Sequence, residues 1–242
     1  MLISKNVNCN FLSRIEFLLG NQKKHNWGKE RGFSPGTIDR LFKGQIPGHE
    51  VLTAISMFDN ASITWLISGS GSPFLVVATS QDDEFAEQLQ DHLLADHEIH
   101  IFNNPSIKTT AIVLSRRSTY TYKDKTIQFT DIKIITGFIG IITRQFLKEC
   151  KEHHKTENLI VSEFCLHRIS KGMASIMDIF NFMNDAVIKT IDFDEVPAHT
   201  IDRRRLPQIE TLDEKKLLTG FREIGDDDKK TILNLVDSLK NK

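Results

Sequence analysis

From residue 8 to residue 68, apolar side chains recur at helical spacing in short runs, each closed by a turn-forming residue. Leu12, Ile15, Leu18 and Leu19 make the first run, which ends at Gly20. Gln22–Arg31 fits a second short helix, stopped by Gly32. Ser34 followed by Pro35 announces a third, ending near Gly44. A Ser side chain caps free amides at a helix start, and Pro at the first helical position gives up an N–H that has no intrahelical partner. Val51, Leu52, Ile55 and Phe58 give a fourth helix, from about His49 to Phe58. Trp65 and Leu66 mark a fifth between Ser62 and Gly69. The next residues, Gly69-Ser70-Gly71-Ser72-Pro73, have linker composition.

Beyond that point the period changes. Asp83–His97 reads as an acidic amphipathic helix. Ile107, Thr109, Ala111 and Val113, then Tyr120 and Tyr122, Ile127 and Phe129, and Ile132 and Ile134 alternate with polar positions and are rich in β-branched residues. With Lys123-Asp124-Lys125 as a turn, residues 107–136 predict two to four antiparallel strands. A helix over Ile139–His154, a strand over Asn158–Ile169 and a helix over Met173–Asn184 follow. Pro197 to Pro207, with Arg203-Arg204-Arg205, reads as a connector. Two helices close the chain. Thr211 and Glu214 have the spacing of a capping box ahead of Leu217, Leu218 and Phe221, and Ile232, Leu235, Val236 and Leu239 make an apolar stripe. The expected fold class is therefore α+β. A five-helix domain over residues 8–69 and a linker over 70–80 precede a mixed α/β domain over 81–206 with an antiparallel sheet, suited to dimerisation or sensing. A helical tail over 207–242 is available for an oligomer interface.

Composition and charge narrow the function classes. The 242 residues are 40% apolar and 26% charged, with a net charge of −1, so no global basic field exists. Charge is unevenly placed, however. Residues 1–74 hold eight basic and five acidic side chains, and Lys23–Lys43 alone holds six basic and two acidic ones. A local basic surface on a neutral protein suits phosphate contacts without general adhesion to polyanions; a solvated helix surface has the same look. Ile134–Ile142, an apolar stretch interrupted by Thr136, Gly137 and Gly140, is too short to span a bilayer, and the N-terminus lacks the apolar run of a secretory signal. Cys9, Cys150 and Cys165 form no pair spacing, which fits a reducing, cytoplasmic setting.

The segment Lys24–Lys43 has the layout of a helix-turn-helix. Gly32 supplies the positive φ that a tight turn between crossing helices needs, and Gly28 is small where the second helix packs across the first. Trp27, Phe33, Ile38 and Leu41 fall at inward positions. Ser34, Pro35, Gly36, Asp39, Arg40 and Lys43 remain on the outer side of the second helix, where a major groove is read. With Gly32-Phe33-Ser34, Thr37-Ile38, Leu41-Phe42-Lys43-Gly44 and Ile46-Pro47, residues 11–74 resemble the N-terminal domain of phage CI-type repressors in the wider Cro/CI (XRE) class. The ending Ile63-Thr64-Trp65-Leu66-Ile67-Ser68-Gly69-Ser70-Gly71 resembles the Trp-Leu…Gly close of that domain. Three residues depart from the pattern. Arg31 stands where the family usually keeps an apolar residue, and Trp27 is bulky for its slot. Either the first helix rotates slightly, or Arg31 lays its stem over the core and points its guanidinium toward phosphate. Asp39 is unusual beside DNA; it either accepts from cytosine N4 or orients Arg40 through an ion pair.

The resemblance implies a lambda-repressor-like five-helix domain and a sequence-specific transcriptional repressor. Lys23, Lys24, Lys43 and amides at helix starts, with Arg31 and His25, are expected at phosphates; Ser34, Thr37 and Arg40, with Asp39, at bases. It also implies a homodimer on a pseudo-palindromic double-stranded operator. CI repressors often carry a self-cleaving LexA-type domain with an Ala-Gly or Cys-Gly scissile bond. Neither dipeptide occurs here, and Ser170-Lys171 with Ser175 makes no convincing nucleophile framework, so relief by a small-molecule inducer or an antirepressor protein is expected instead. Two other readings stay open: an autoregulating antitoxin of a toxin–antitoxin pair, and an enzyme tethered to DNA. No cofactor is expected, because no phosphate-binding Gly motif or HExxH occurs. Asp91, His92, Asp96, His97 and His100 form a cluster read first as a solvated acidic helix and only second as a metal site. Tyr120 and Tyr122 beside Arg116-Arg117 fit a half-buried strand face better than a single-strand platform.

Overall fold

The computed structural model describes residues 10–189; the expected connector at Arg203–Arg205 and the tail helices of 207–242 lie outside the described residues. Five short helices come first: α1 (Phe11–Leu19), α2 (Lys24–Glu30), α3 (Pro35–Leu41), α4 (His49–Asp59) and α5 (Ile63–Ser68). Their starts follow from capping chemistry. The Asn10 side chain accepts from the Ser13 N–H, Ser34 from the Thr37 N–H and Ser62 from the Trp65 N–H. Ile15, Trp27, Ile38, Leu41, Ile55 and Leu66 are all but fully buried in their shared core. Gly28 is needed there, because a Cβ at this position would lie 2.4 Å from the Ile38 side chain.

The segment of linker composition does not run free. Phe74 is buried and bridges to Ala61; the Pro73 carbonyl accepts from the Ser62 N–H at 2.8 Å, and the Leu75 N–H donates to the Asn60 carbonyl at 2.9 Å. The apolar run that follows the Gly/Ser pairs, Phe74 to Val77, outweighs their freedom and draws the segment onto the protein.

It leads into β1 (Val77–Ala78), α6 (Asp82–His92), β2 (Glu98–Asn103), β3 (Thr110–Tyr122), β4 (Lys125–Gly137), α7 (Ile141–Cys150), β5 (Thr156–Ile160), α8 (Glu163–Ser170), α9 (Ile176–Asp185) and β6 (Val187–Lys189). The sheet order is β1-β4-β3-β2-β5-β6. The architecture is α+β, but the sheet is mixed rather than antiparallel. β2 runs parallel to β5 and β1 parallel to β4, while β3 pairs antiparallel with both β2 and β4. The helix expected over Asp83–His97 stops at His92, and the chain re-enters the sheet at Glu98. The strand expected over Asn158–Ile169 divides at Ser162, whose hydroxyl caps α8. Helices cover both faces, so Ala111–Leu114 is apolar and buried on both sides, in place of the expected alternation with polar positions. Phe85, Leu89 and Leu147 of α6 and α7 pack on Ile99, Ile101, Ile112 and Leu114. Leu166, Ile169 and Ile179 of α8 and α9 pack on Phe102, Ala111, Val113 and Ile134.

The β3–β4 hairpin is longer than the sandwich that holds its base. Residues 110–115 of β3 are buried on both faces, whereas 116–122 alternate. The turn at Lys123-Asp124, in the expected place, has both residues at positive φ (46° and 65°), the two-residue geometry that suits strand twist. One face of this outer half lies against the helices. Tyr122 is buried in their core with its ring edge-on to Phe33 at 5.8 Å, and Phe58 stacks near Tyr120 and Phe129 at 6.2 and 4.8 Å. The helices and the sheet thus belong to one compact unit. Among the described residues, no helix is long and apolar enough to cross a membrane.

Candidate nucleic-acid interface

α2 and α3 meet across a turn at Gly32 (φ 77°), where the Phe33 N–H reaches back to the Gly28 carbonyl at 2.9 Å. Trp27, Phe33, Ile38 and Leu41 point inward from this pair. Lys24, His25, Ser34, Pro35, Gly36, Asp39, Arg40 and Lys43 are exposed. Ser34 lends its hydroxyl to the cap of α3, and the space beside Gly36 is open. The Arg40 Nε donates to the Gly36 carbonyl at 3.2 Å, which lays its stem along the outer face of α3. Asp39 does not orient Arg40; its carboxylate pairs with Lys24 at 3.5 Å, joining α2 to α3 on the surface.

Thr37 departs from the expectation that it reads bases. It is only 7% exposed, its hydroxyl lies 3.0 Å from that of Ser34, and it faces the hairpin tip. It lines a cleft that Tyr122, 85 positions later in the chain, also lines.

Arg31 departs further. Rather than reaching for phosphate, it is buried in a two-pronged ion pair with Asp59 of α4, its Nε 2.8 Å from Oδ2. Its guanidinium also donates to the Trp27 carbonyl and lies 4.2 Å from the centre of the Trp27 ring. Burial pushes the Asp59 carboxyl up, against the pull of the Arg31 charge. The unusual residue at this site is a clamp between α2 and α4, and Trp27 is the surface on which it lies. Arg14 is also internal, its guanidinium donating to the Leu66 and Ile67 carbonyls at the end of α5 at 2.7 and 2.9 Å. Neither residue contributes to a surface field, so the basic surface is built from Lys23, Lys24, Lys29, Arg40 and Lys43, with His25 beside them.

This open cleft of about 440 Å³ is lined by Thr37, Arg40 and Leu41, by residues 45–51 of the α3–α4 loop and the start of α4, and by Tyr122 and Lys123 of the hairpin tip.

A second polar constellation, missed in the sequence, sits in the sheet. His100 of β2 is buried, with Nε2 2.9 Å from the Ser115 hydroxyl of β3 and Nδ1 3.2 Å from the Glu157 carboxylate of β5. Burial pushes its imidazole below the usual range, with Glu157 acting in the opposite sense. The order hydroxyl, imidazole, carboxylate is that of a nucleophilic triad. Ser115, however, lies within a strand paired on both sides, opposite Glu98 and Ile132. The amides around it serve the ladder and are not turned toward a developing oxyanion. The trio links three neighbouring central strands through mutually bonded polar groups.

The histidine and aspartate cluster does not converge. His97 Nδ1 accepts from the Leu94 N–H at 2.9 Å, Asp96 pairs with Arg116 at 3.5 Å, and His92 ends α6. Among the described residues, no group of three or more His, Cys, Asp or Glu is placed to hold a metal ion. Ser175 caps α9 in a capping box with Asp178. Comparison with protein-family models, with curated proteins and with solved structures gives no match.

Proposed function

We propose that the α2–turn–α3 unit is a helix-turn-helix of the phage CI-type repressor kind and that the protein is a sequence-specific, DNA-binding transcriptional repressor. The observation that carries this reading is the division of α3. Ile38 and Leu41 are fixed in a filled core, while Pro35, Gly36 and Arg40 of this seven-residue helix, with Ser34 at its cap and Lys43 just past its end, stand exposed where a major groove would be read. Lys23, Lys24 and Lys43 neutralise phosphates and set register. Arg40 reads a base, with guanine the natural partner of its planar fork. A single module of this size buries little surface on DNA, so two copies act together on a pseudo-palindromic operator. Relief comes from a ligand or antirepressor protein rather than self-cleavage, since neither Ala-Gly nor Cys-Gly occurs in the sequence.

Selection of duplexes from a random pool tests the proposal. The enriched sites should show two related half-sites about one helical turn, or a small multiple of it, apart. Arg40→Ala should flatten preference at one position of each half-site, by about 1–3 kcal/mol of discrimination. Lys43→Ala should weaken all sequences alike. A pool that emerges unenriched would remove the reading.

A further inference from the structure

The hairpin tip does more in this fold than finish a strand pair. Two observations single it out. First, it packs against the turn that leads into the reading helix. Tyr122 is buried against Phe33, and the Ile127 side chain occupies the space where a Cβ on Gly32 would stand, 2.4 Å from that position. Second, its two loop residues are Lys123 and Asp124, both held in the left-handed region that glycine and asparagine occupy at least cost. An asparagine-glycine turn would join the strands more cheaply. The side chains present are kept at the expense of backbone comfort, a pattern associated with functional positions.

The turn directs Lys123 to the cleft it shares with Arg40, its ammonium 5.4 Å from the Tyr122 ring centre. Lys125, the first residue of β4, is exposed beside it. We propose that the hairpin tip is a second DNA-binding element, in which Lys123 and Lys125 hold the phosphate backbone of the same duplex whose groove α3 enters. This inference rests on the DNA-binding reading above. A duplex seated on the Arg40 face has its backbone at the rim of the groove, and Lys123 lines the same cleft as Arg40. The sheet domain is then part of the DNA-binding surface as well as its support. The contact is electrostatic and carries no base choice.

The test uses the full chain and a random-sequence duplex long enough for two half-sites, with affinity measured over a range of salt concentrations. The variant K123N/K125T removes both charges but keeps the turn, because asparagine tolerates the left-handed backbone and threonine suits a strand. It should fold as the wild type does, bind about three- to tenfold more weakly, and lower the salt slope by up to about 2, since each phosphate contact contributes about 0.9. Preference among selected sequences should not change. R117Q, on the same hairpin at an exposed position away from the tip, controls for loss of charge alone and should leave the slope nearly unaltered. An unchanged slope in K123N/K125T, or an equal drop in R117Q, would overturn the inference while leaving α3 as the reader. Failure of the wild-type chain to bind any duplex would overturn both.

Discussion

The helical domain and the sheet sandwich both bury ionisable side chains, and they deal with the charge in opposite ways. In the helices, Arg31 keeps its charge and is matched by Asp59, by the Trp27 carbonyl and by the Trp27 ring. In the sheet, burial pushes His97 and His100 toward the neutral form; the Leu94 N–H holds the His97 ring, and His100 sits between the Ser115 hydroxyl and the Glu157 carboxylate, whose charge opposes the burial without outweighing it. The difference has a structural reason. A guanidinium cannot shed its proton, so a buried arginine requires a partner; an imidazole can, so a buried histidine requires only correct hydrogen bonding. It also shows how a count of basic residues misleads. Two of the residues that made the first part of the chain look basic, Arg14 and Arg31, are internal fastenings.

The largest effect expected from this contrast is at the charged clamp. Asp59→Ala leaves Arg31 buried and uncompensated and should cost about 3–5 kcal/mol in denaturant unfolding, whereas replacing both partners with apolar residues of similar volume should cost far less. Equal losses in the two variants would show that packing, not charge, holds α2 to α4. A core position of the sandwich sets the next level. Ile112→Ala, fully buried under α6 and α7, should cost about 2–5 kcal/mol. A smaller effect belongs to the joint between the two regions. Tyr122→Leu keeps an apolar group but loses the edge-on contact with Phe33, for about 0.5–1.5 kcal/mol. It should weaken DNA binding by more than that stability change explains, because α3 loses its support.

The smallest effect expected is the pH response of the sheet. In the folded chain burial lowers the proton affinity of His97 and His100, while the unfolded chain takes up protons below about pH 6.5. Their folded values are lowered, so stability is full above that pH and falls as the pH drops toward the folded values. Thermal unfolding followed from pH 7 to pH 5 should show a declining midpoint, and the double replacement H97N/H100N should flatten the decline. A midpoint that rises on acidification would mean that Glu157 dominates burial at His100.

The parts legible in the sequence were those set by local chemistry. Ser34 and Pro35 at the start of α3, Gly28 beneath Ile38, Gly32 at the turn and the Lys123-Asp124 hairpin all stand where short-range spacing puts them, because caps, close approaches and tight turns are decided within a few residues. Illegible parts depended on distant partners. The parallel pairing of β2 with β5 joins segments 57 positions apart in register, as Ile101 with Asn158, and leaves no local mark. The cleft beside Thr37 is shared with the hairpin tip, and the role of Arg31 follows from Asp59 on another helix; neither is encoded near the residue itself. Within the candidate interface, the exposed positions of α3 were readable from helical period alone, while the contribution of Lys123 and Lys125 emerges only when the hairpin is seen against α3.

The central claim is tested most directly by measuring base preference and salt dependence together for the wild type, Arg40→Ala and Lys43→Ala on the same duplex pool. The account predicts that Arg40→Ala loses preference at one position of each half-site, and that Lys43→Ala keeps every preference while binding more weakly and with a shallower salt slope. Two variants that behave identically, or a wild type with no preference among duplexes, would contradict it.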